Sequence, residues 1–262
     1  MSRKSLSQYF LTNKRIAERI AKSLGDVPPG SMVVEIGGGR GRLTEALTEL
    51  YDNVKVVEID RGLAGRLSIE FSGKADVINN DILKIDPASL NSGGAVYLCG
   101  NIPYHISGLL MRWISDKCMF FPVVVLMVQK EVARRICRGE GSKEYGVLSI
   151  VSAIDFHPEY LFTVGAGSFN PRPKVDSGVI RLSRRSESLI EMEGREGFID
   201  FIKVVFSQRR KKIRNNLKGI EGLEVEEISD ILEQEGFDID KRPGEFSARE
   251  LVDMYRIVKT KI

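Results

Sequence analysis

Apolar positions along the chain alternate between helical and strand-like spacing. From Asn13 to Leu24 apolar residues recur every three or four positions, which predicts an amphipathic helix capped by Thr12 or Asn13. Pro28-Pro29-Gly30 then interrupts the chain before Met32–Ile36, a short apolar run typical of a buried strand. A glycine-rich segment and a second helical pattern follow. The chain therefore begins with a helix, a strand, a glycine loop and another helix.

Further strand-like runs follow, with room for helices between them. They are Val54–Glu58, Ala75–Asn79 and Ala95–Cys99. Downstream, the pattern predicts helices over 106–114 and 129–138 and strands over 121–128 and 179–182, whereas 147–156 fits a helix or a strand equally well. Alternation of this kind predicts an α/β fold built on a parallel sheet.

The composition changes near Ser183–Ser188, where the chain becomes polar. The remainder is charged, helical in pattern and poor in strand-forming residues. We therefore predict a larger α/β domain over residues 1–185 and a small helical domain over 186–262.

Bulk properties exclude some classes of protein. No apolar stretch approaches the roughly 20 residues that span a bilayer, and the first residues lack the apolar run of a signal peptide, so we expect a cytoplasmic protein without membrane contact. The three cysteines form no C-x-x-C pair, and we expect buried thiols and no metal site. A net charge of +3 is too small to indicate a nucleic-acid partner by itself.

The glycine loop indicates a nucleoside cofactor. Gly37, Gly39 and Gly41 lie between a strand and a helix, where missing side chains permit a tight turn and close ligand approach. Glu58 ends the next strand, about 20 residues beyond the loop, where a carboxylate accepts hydrogen bonds from ribose hydroxyls. The spacing G-x-G-x-G differs from the pyrophosphate-binding G-x-G-x-x-G and favours S-adenosylmethionine. Asp81 follows the third strand, where it either accepts from the adenine amine or caps a turn.

The segment Asn101-Ile102-Pro103-Tyr104 indicates a site for an amino-bearing base. The amide oxygen of Asn101 and a backbone carbonyl can accept both amine hydrogens, Pro103 stiffens the loop, and Tyr104 can stack on the ring. Such an amine is a poor nucleophile, so the enzyme must orient it toward the methyl donor. The alternative is an ordinary turn, which the preceding glycine loop and Glu58 disfavour.

Together these motifs resemble the ribosomal RNA adenine dimethyltransferases that modify small-subunit rRNA. The resemblance covers nearly the whole chain. Its motifs are Gln8–Leu11, Glu35–Gly41, Glu58–Asp60, Asn80–Asp81, Gly100–Tyr104 and Phe169–Ser177. It implies a Rossmann-like, class I S-adenosylmethionine-dependent methyltransferase domain over residues 1–185, with a small helical RNA-binding domain over 186–262.

The resemblance also implies roles for individual residues. The expected cofactor contacts are Gln8, Tyr9, Leu11, Gly37, Gly39, Glu58, Ile59, Asp81, Ile82 and Asn101, and the expected catalytic residues are Asn101, Ile102, Pro103, Tyr104 and Phe169. Phe169 would help Tyr104 sandwich a flipped adenine. Tyr9 and Ile102 replace the family's commoner residues, asparagine or histidine in the first case and leucine in the second. We expect backbone contacts to persist at both positions.

The implied reaction transfers four methyl groups to the N6 amines of two adjacent adenosines in a hairpin near the 3′ end of small-subunit rRNA. A loop adenosine is less costly to flip than one in a duplex. Small-subunit rRNA and the pre-ribosomal small subunit would be the partners of a monomeric enzyme. The alternatives are an enzyme for large-subunit rRNA and a non-catalytic rRNA-binding assembly or transcription factor.

A basic run lies in the predicted helical domain. Between Ser207 and Lys218 there are six basic residues and no acid. We expect phosphate contacts from Arg209, Arg210, Lys211, Lys212 and Arg214, against the alternative of a solvated helix face.

Overall fold

The computed structural model describes residues 8–91, 94–103 and 106–261. The chain forms two compact units. The first runs to Arg134 and resumes over His157–Arg184, and the second comprises Arg135–Phe156 and the chain from Arg185 onward. The change of unit at Arg185 lies at the predicted boundary. The segment 135–156, which the sequence analysis placed in the first domain, instead groups with the C-terminal helices because its apolar residues pack into their core.

A seven-stranded sheet forms the first unit's framework. The strands of the described chain are β1 (Phe10–Leu11), β2 (Met32–Ile36), β3 (Val54–Glu58), β4 (Asp76–Asn79), β5 (Val96–Asn101), β6 (Val123–Gln129), β7 (Phe156–Val164), β8 (Phe169–Asn170) and β9 (Ser177–Arg184). The sheet order is β4-β3-β2-β5-β6-β9-β7. Strands β2 to β6 are parallel, β9 is antiparallel to β6, and β1 pairs with β8 in a separate two-stranded sheet. The predicted α/β fold is confirmed, with an antiparallel strand added to the parallel ones.

Helices follow the apolar periodicity of the sequence. Those of the described chain are α1 (Lys14–Lys22), α2 (Arg42–Thr48), α3 (Arg61–Glu70), α4 (Ser107–Asp116), α5 (Lys130–Cys137), α6 (Val147–Asp155), α7 (Arg195–Val205), α8 (Ile213–Leu217), α9 (Val225–Gln234) and α10 (Ala248–Lys259). Helix α1 begins as predicted, since Asn13 Oδ1 accepts from the backbone N–H of Ile16 at 3.3 Å. The ambiguous segment is helical up to Asp155 and becomes strand at Phe156.

The order of the parallel strands creates a crevice beside β2. This strand pairs with β3 on one side and β5 on the other, with Glu35 opposite Val56 and Cys99. Connections from neighbouring strands depart in opposite directions at such a point and leave room for a ligand at the carboxyl ends. The predicted glycine loop lies at that edge.

The second unit has its own apolar core, drawn from α6, α7, α8, α9 and α10. A buried ion pair joins the end of α6 to the start of α7. Arg195 donates from both terminal nitrogens to Asp155, at 2.7 and 2.6 Å, and Ser188 donates to the same carboxylate at 2.8 Å. This two-point contact fixes the helix ends relative to each other.

No helix within the described part of the chain is long and apolar enough to cross a membrane.

Candidate functional site

A cavity of about 300 Å³ opens at the carboxyl ends of the parallel strands. Every residue predicted to contact the cofactor lines it: Gln8, Tyr9, Leu11, Gly37, Gly39, Glu58, Ile59, Asp81, Ile82 and Asn101. These residues come from the N-terminal segment, the loop after β2, and the ends of β3, β4 and β5. The fold therefore brings together groups that are up to 93 positions apart, from Gln8 to Asn101.

The glycine loop depends on backbone conformations that glycine adopts readily. Gly37 and Gly39 have positive φ angles of 75° and 54°. A Cβ atom on Gly39 would lie 3.0 Å from the ring of Phe10. The loop is therefore tight, and the N-terminal segment packs directly on it.

Glu58 is buried at the end of β3 and is already bonded to backbone. One carboxylate oxygen accepts from the N–H of Gly39 and the other from the N–H of Asp60, both at 2.9 Å. A carboxylate oxygen has two lone pairs, so each retains capacity for a ribose hydroxyl. Glu58 thus supports the glycine loop in addition to its predicted ribose contact, a function that the sequence analysis missed.

Asp81 forms a turn cap, which is one of the two alternatives that its position left open. Its Oδ1 accepts from the N–H of Leu83 at 3.1 Å, which caps the short helical turn Ile82–Lys84. Asp81 also lines the cavity. Asp81 is therefore a turn cap at the cavity wall, and its contact with an adenine amine stays a prediction.

The side-chain amide of Asn101 is oriented by the N-terminal segment. Its Nδ2 donates to the carbonyl of Tyr9 at 2.9 Å, which leaves Oδ1 as the acceptor end of the amide. The next residue, Ile102, is buried and donates its N–H to Met127 at 2.9 Å. Asn101, Ile102 and Pro103 all line the cavity, whereas Tyr104 lies outside the described residues.

Phe169 is not among the residues that line the cavity, although its neighbour Leu11 is. It is 5% exposed and pairs with Leu11 across the two short strands β8 and β1. Thr12 reinforces this junction by donating its N–H and its hydroxyl to the carbonyl of Ser168, at 2.9 and 3.0 Å. The N-terminal motif and the Phe169–Ser177 motif are therefore neighbours. Stacking of Phe169 on an adenine stays a prediction and would require the ring to be uncovered.

Glu35 is a further acidic residue of the cavity to which the sequence analysis gave no role. It is 1% exposed and accepts from the hydroxyl of Thr44 at 2.5 Å. Burial raises the pKa of Glu35 to about 7; the Thr44 hydrogen bond opposes this shift and the charge of Glu58 adds to it. In the sequence, Glu35 appeared only as the first residue of the motif Glu35–Gly41.

The charges of the cavity fit a cationic nucleoside better than a polyphosphate. Among the described lining residues, three are acidic and two are arginines. Arg42 is bonded to Glu45 at 2.6 Å, and Arg40 lies over the ring of Phe10 at 4.6 Å from its centroid. The lining therefore offers buried carboxylates to a ligand. This is consistent with S-adenosylmethionine, which combines ribose hydroxyls, an adenine amine and a positive sulfonium.

The basic run of the second unit occupies the turn between α7 and α8 and the first part of α8. Arg209 donates to the carbonyls of Lys143, at 2.9 Å, and Tyr145. Lys212 and Arg214 both pair with Asp240, at 2.8 and 3.3 Å. The sequence run contains no acid, but the fold supplies one from a distant position. Arg210 and Lys211 are exposed.

Comparison with known proteins identifies relatives along the whole chain. A family model described as ribosomal RNA adenine dimethylase matches residues 1–258. Ribosomal RNA small subunit methyltransferase A of Desulfitobacterium hafniense is 41% identical over 94% of this chain and 88% of its own length. The protein of the same name from Bacteroides fragilis is 36% identical over 96% of this chain and 90% of its own length.

Solved structures show the same fold. A dimethyladenosine transferase from Plasmodium falciparum superposes with a TM-score of 0.81 at 23% identity, covering 96% of this chain and 98% of that one. The 23S rRNA methyltransferase ErmE gives a TM-score of 0.73 at 25% identity, covering 95% and 99%. The family match and the relatives' identity and coverage together establish that the chain belongs to the ribosomal RNA adenine dimethylase family.

Proposed function

We propose that this protein transfers methyl groups from S-adenosylmethionine to the N6 amines of two adjacent adenosines in a 3′-terminal hairpin of small-subunit rRNA. The relatives at 36–41% identity are named as small-subunit methyltransferases, whereas the 23S enzyme ErmE is 25% identical. This difference favours the small subunit over the large one. Assembling small subunits are the partner that this reaction implies.

The arrangement around Asn101 is the observation that carries the proposal. The Tyr9 carbonyl holds the amide nitrogen at 2.9 Å, so the amide oxygen at the cavity edge is the atom that can accept from an adenosine amine. A purely RNA-binding protein has no chemical need for an oriented acceptor beside a nucleoside cavity. The arrangement therefore favours catalysis over the non-catalytic alternative.

The chemistry requires orientation more than acid–base strength. S-adenosylmethionine, when bound, supplies an electrophilic methyl group on a positive sulfur. The N6 lone pair is delocalised into the adenine ring, and a hydrogen bond to Asn101 Oδ1 would fix the amine hydrogen and turn the lone pair toward the methyl group. The N–C bond forms as the S–C bond breaks, the sulfur retains the electron pair, and the proton then leaves the substituted nitrogen to water. No strong general base is required, since a methylated aminopurine cation is acidic.

Cofactor contacts in this proposal follow the cavity lining. Glu58 would accept from the ribose hydroxyls, Asp81 from the adenine amine, and the loop at Gly37 would pass close to the methionyl part. Each residue already has a backbone contact that fixes its direction, such as the Gly39 N–H on Glu58. The side chains would therefore change little on binding.

Contact with rRNA phosphates would depend mainly on Arg210 and Lys211. Both are exposed, whereas Arg209 is bonded to the backbone carbonyls of Lys143 and Tyr145. Lys212 would contribute less to phosphate binding, because its ammonium group already forms an ion pair with Asp240. Counterion release makes such contacts dependent on salt concentration.

Methylation mapping tests the proposal. The protein would be incubated with labelled S-adenosylmethionine and either small or large subunits that lack adenosine dimethylation, and the label would be located by mass spectrometry. We expect two adjacent dimethyladenosines in small-subunit rRNA, and none with the Asn101→Ala variant. Label in large-subunit rRNA would support the first alternative, and tight rRNA binding without transfer would support the second.

A further inference from the structure

Glu35 is an acidic side chain enclosed at the cavity wall. It belongs to β2, is 1% exposed and lines the cavity beside the glycine loop. The one hydrogen bond that its carboxyl group makes in the described structure comes from the Thr44 hydroxyl, at 2.5 Å. A buried carboxylate normally has a cationic partner or several donors. Within residues 8–91, 94–103 and 106–261, Glu35 has no salt bridge.

The groups around Glu35 make its negative charge still less favourable. Glu58 lies at the end of the adjacent strand β3, and each of its carboxylate oxygens accepts a hydrogen bond from a backbone N–H group. On the other side, Cys99 of β5 stands opposite Glu35 and is fully buried. From α2 come Thr44 and, at the cavity wall, Arg42, which is bonded to Glu45. Arg40 is exposed over Phe10.

Glu35 affects the protonation of the neighbouring Cys99 thiol. Burial raises the pKa of the Cys99 thiol well above its ordinary value, and the charge of Glu35 raises it further. The thiol therefore stays neutral while the carboxyl group titrates. The Glu35 pKa of about 7 leaves a mixture of protonated and ionised forms near neutral pH. A cation placed in the cavity would favour the ionised form.

We propose that Glu35 senses the charge of the bound cofactor, releasing its proton when the cationic methyl donor binds and regaining it when the neutral thioether product remains. The inference rests on the proposed function, because it takes S-adenosylmethionine as the donor. The two ligands differ in the charge on sulfur and by one methyl group. An ionised Glu35 would therefore strengthen donor binding without a comparable gain for the product. Glu35 thus becomes a specificity-determining residue that limits product inhibition.

The proposal predicts a definite pH dependence. When bound donor lowers the pKa of Glu35 from about 7 to about 6, donor affinity rises roughly tenfold in total as pH increases from well below 6 to above 7, and then levels off; roughly fivefold of this increase lies above pH 6. Product affinity changes by less than about twofold over the same range, because no charge on sulfur favours the ionised carboxylate. The ratio of product to donor dissociation constants therefore increases with pH.

Calorimetric titration of the full-length protein with S-adenosylmethionine and with S-adenosylhomocysteine, from pH 6 to 8.5, measures this ratio. Repeating each titration in two buffers with different ionisation enthalpies counts the protons released. Glu35→Gln keeps the shape of the side chain but cannot ionise, so any remaining pH dependence belongs to the ligands or to other groups. We expect this variant to bind donor as the unaltered protein does at pH 6, more weakly at pH 8, and without Glu35-linked proton release.

Thr44 provides a second pair of variants that leaves Glu35 in place. Thr44→Val removes the hydroxyl that favours the ionised carboxylate, so the midpoint of the affinity change should move to higher pH. Thr44→Ser keeps the hydroxyl and should keep the midpoint. A merely structural function of Glu35 would not produce this shift.

The possible outcomes show whether the charge-sensing inference fails alone or together with the proposed function. The inference would be overturned if the unaltered protein and Glu35→Gln bound the donor with the same pH profile and released the same number of protons. The proposed function would then remain intact. Failure of the unaltered protein to bind donor at any pH would overturn both. An equal pH dependence for donor and product would also contradict the inference.

Discussion

The two backbone hydrogen bonds of Glu58 allow its structural contribution to be separated from its predicted contact with the cofactor ribose. The Gly39 and Asp60 N–H groups each bond one carboxylate oxygen at 2.9 Å. Glu58→Gln keeps one oxygen acceptor and replaces the other with an NH₂ donor. The N–H group of either Gly39 or Asp60 then faces the new NH₂ group and loses its hydrogen-bond acceptor.

The size of the effect follows from the hydrogen bonds that are lost. A hydrogen bond to a charged group contributes about 1.5–3 kcal/mol, and we expect Glu58→Gln to lower the free energy of unfolding of the cofactor-free protein by about that amount. Glu58→Gln also removes the charged acceptor of the ribose hydroxyl. We expect this loss to weaken cofactor binding by a similar energy, which raises the dissociation constant roughly 10- to 150-fold. A distorted glycine loop alone would also weaken binding, so a single variant does not separate the two contributions.

A double-mutant cycle with a modified ligand isolates the ribose contact. Calorimetry would measure binding of S-adenosylhomocysteine and of its 2′-deoxy analogue to the unaltered protein and to Glu58→Gln. We predict that removal of the hydroxyl costs at least about 1 kcal/mol less in the variant than in the unaltered protein. Equal costs in both proteins would show that Glu58 acts only through the loop, and would refute the ribose assignment.

Three further predictions concern stability and RNA binding. Between pH 4.5 and about 7 the Glu35 carboxyl group is protonated in the folded state and ionised in the unfolded state, so the free energy of unfolding falls as pH rises. Glu35→Gln lacks this loss. Its free energy of unfolding, measured in urea, should therefore gain up to about 3 kcal/mol relative to the unaltered protein between pH 5 and 8. If the difference in free energy of unfolding between the two proteins were the same at pH 5 and pH 8, the claim that burial raises the pKa of Glu35 would be contradicted. Arg195→Ala should destabilise the protein by about 3–5 kcal/mol, since Asp155 would stay buried without its ion-pair partner, and a loss under 1 kcal/mol in thermal unfolding would count against this. Arg209→Ala should lower the unfolding temperature, whereas Arg210→Ala should leave it unchanged and reduce the salt dependence of rRNA binding; the reverse pattern would show that Arg209 is the phosphate contact.

Short-range sequence signals were sufficient for most of the first unit. The apolar run of β2 followed by Gly37, and the cap at Asn13, are local patterns whose physical basis lies within a few residues. Strand β7 was missed because Pro158 and Glu159 interrupt its pattern. An edge strand tolerates such residues, and β7 is the last strand in the sheet order. Its position could be recognised only once β9 was placed beside it.

In the candidate site, too, local sequence patterns predicted some residues and contacts but not others. The strand-end residues were predictable because parallel strands bring their carboxyl ends together. The second contact of Glu58, to Gly39, depends on how the loop folds back, and the pairing of Lys212 with Asp240 joins positions 28 residues apart. The burial of Glu35 depends on α2 packing across β2. None of these contacts has a local sequence pattern, so each required the three-dimensional structure.

The central claim is that Asn101 aims an extruded adenosine amine at the methyl donor. The most direct measurement is the structure of this protein bound to S-adenosylhomocysteine and a short rRNA hairpin that contains the target adenosines. The account predicts that N6 of a flipped adenosine lies within hydrogen-bond distance of Asn101 Oδ1 and faces the cofactor sulfur. An adenosine held elsewhere, or a cofactor outside the cavity at the carboxyl ends of β2, β3 and β5, would contradict it.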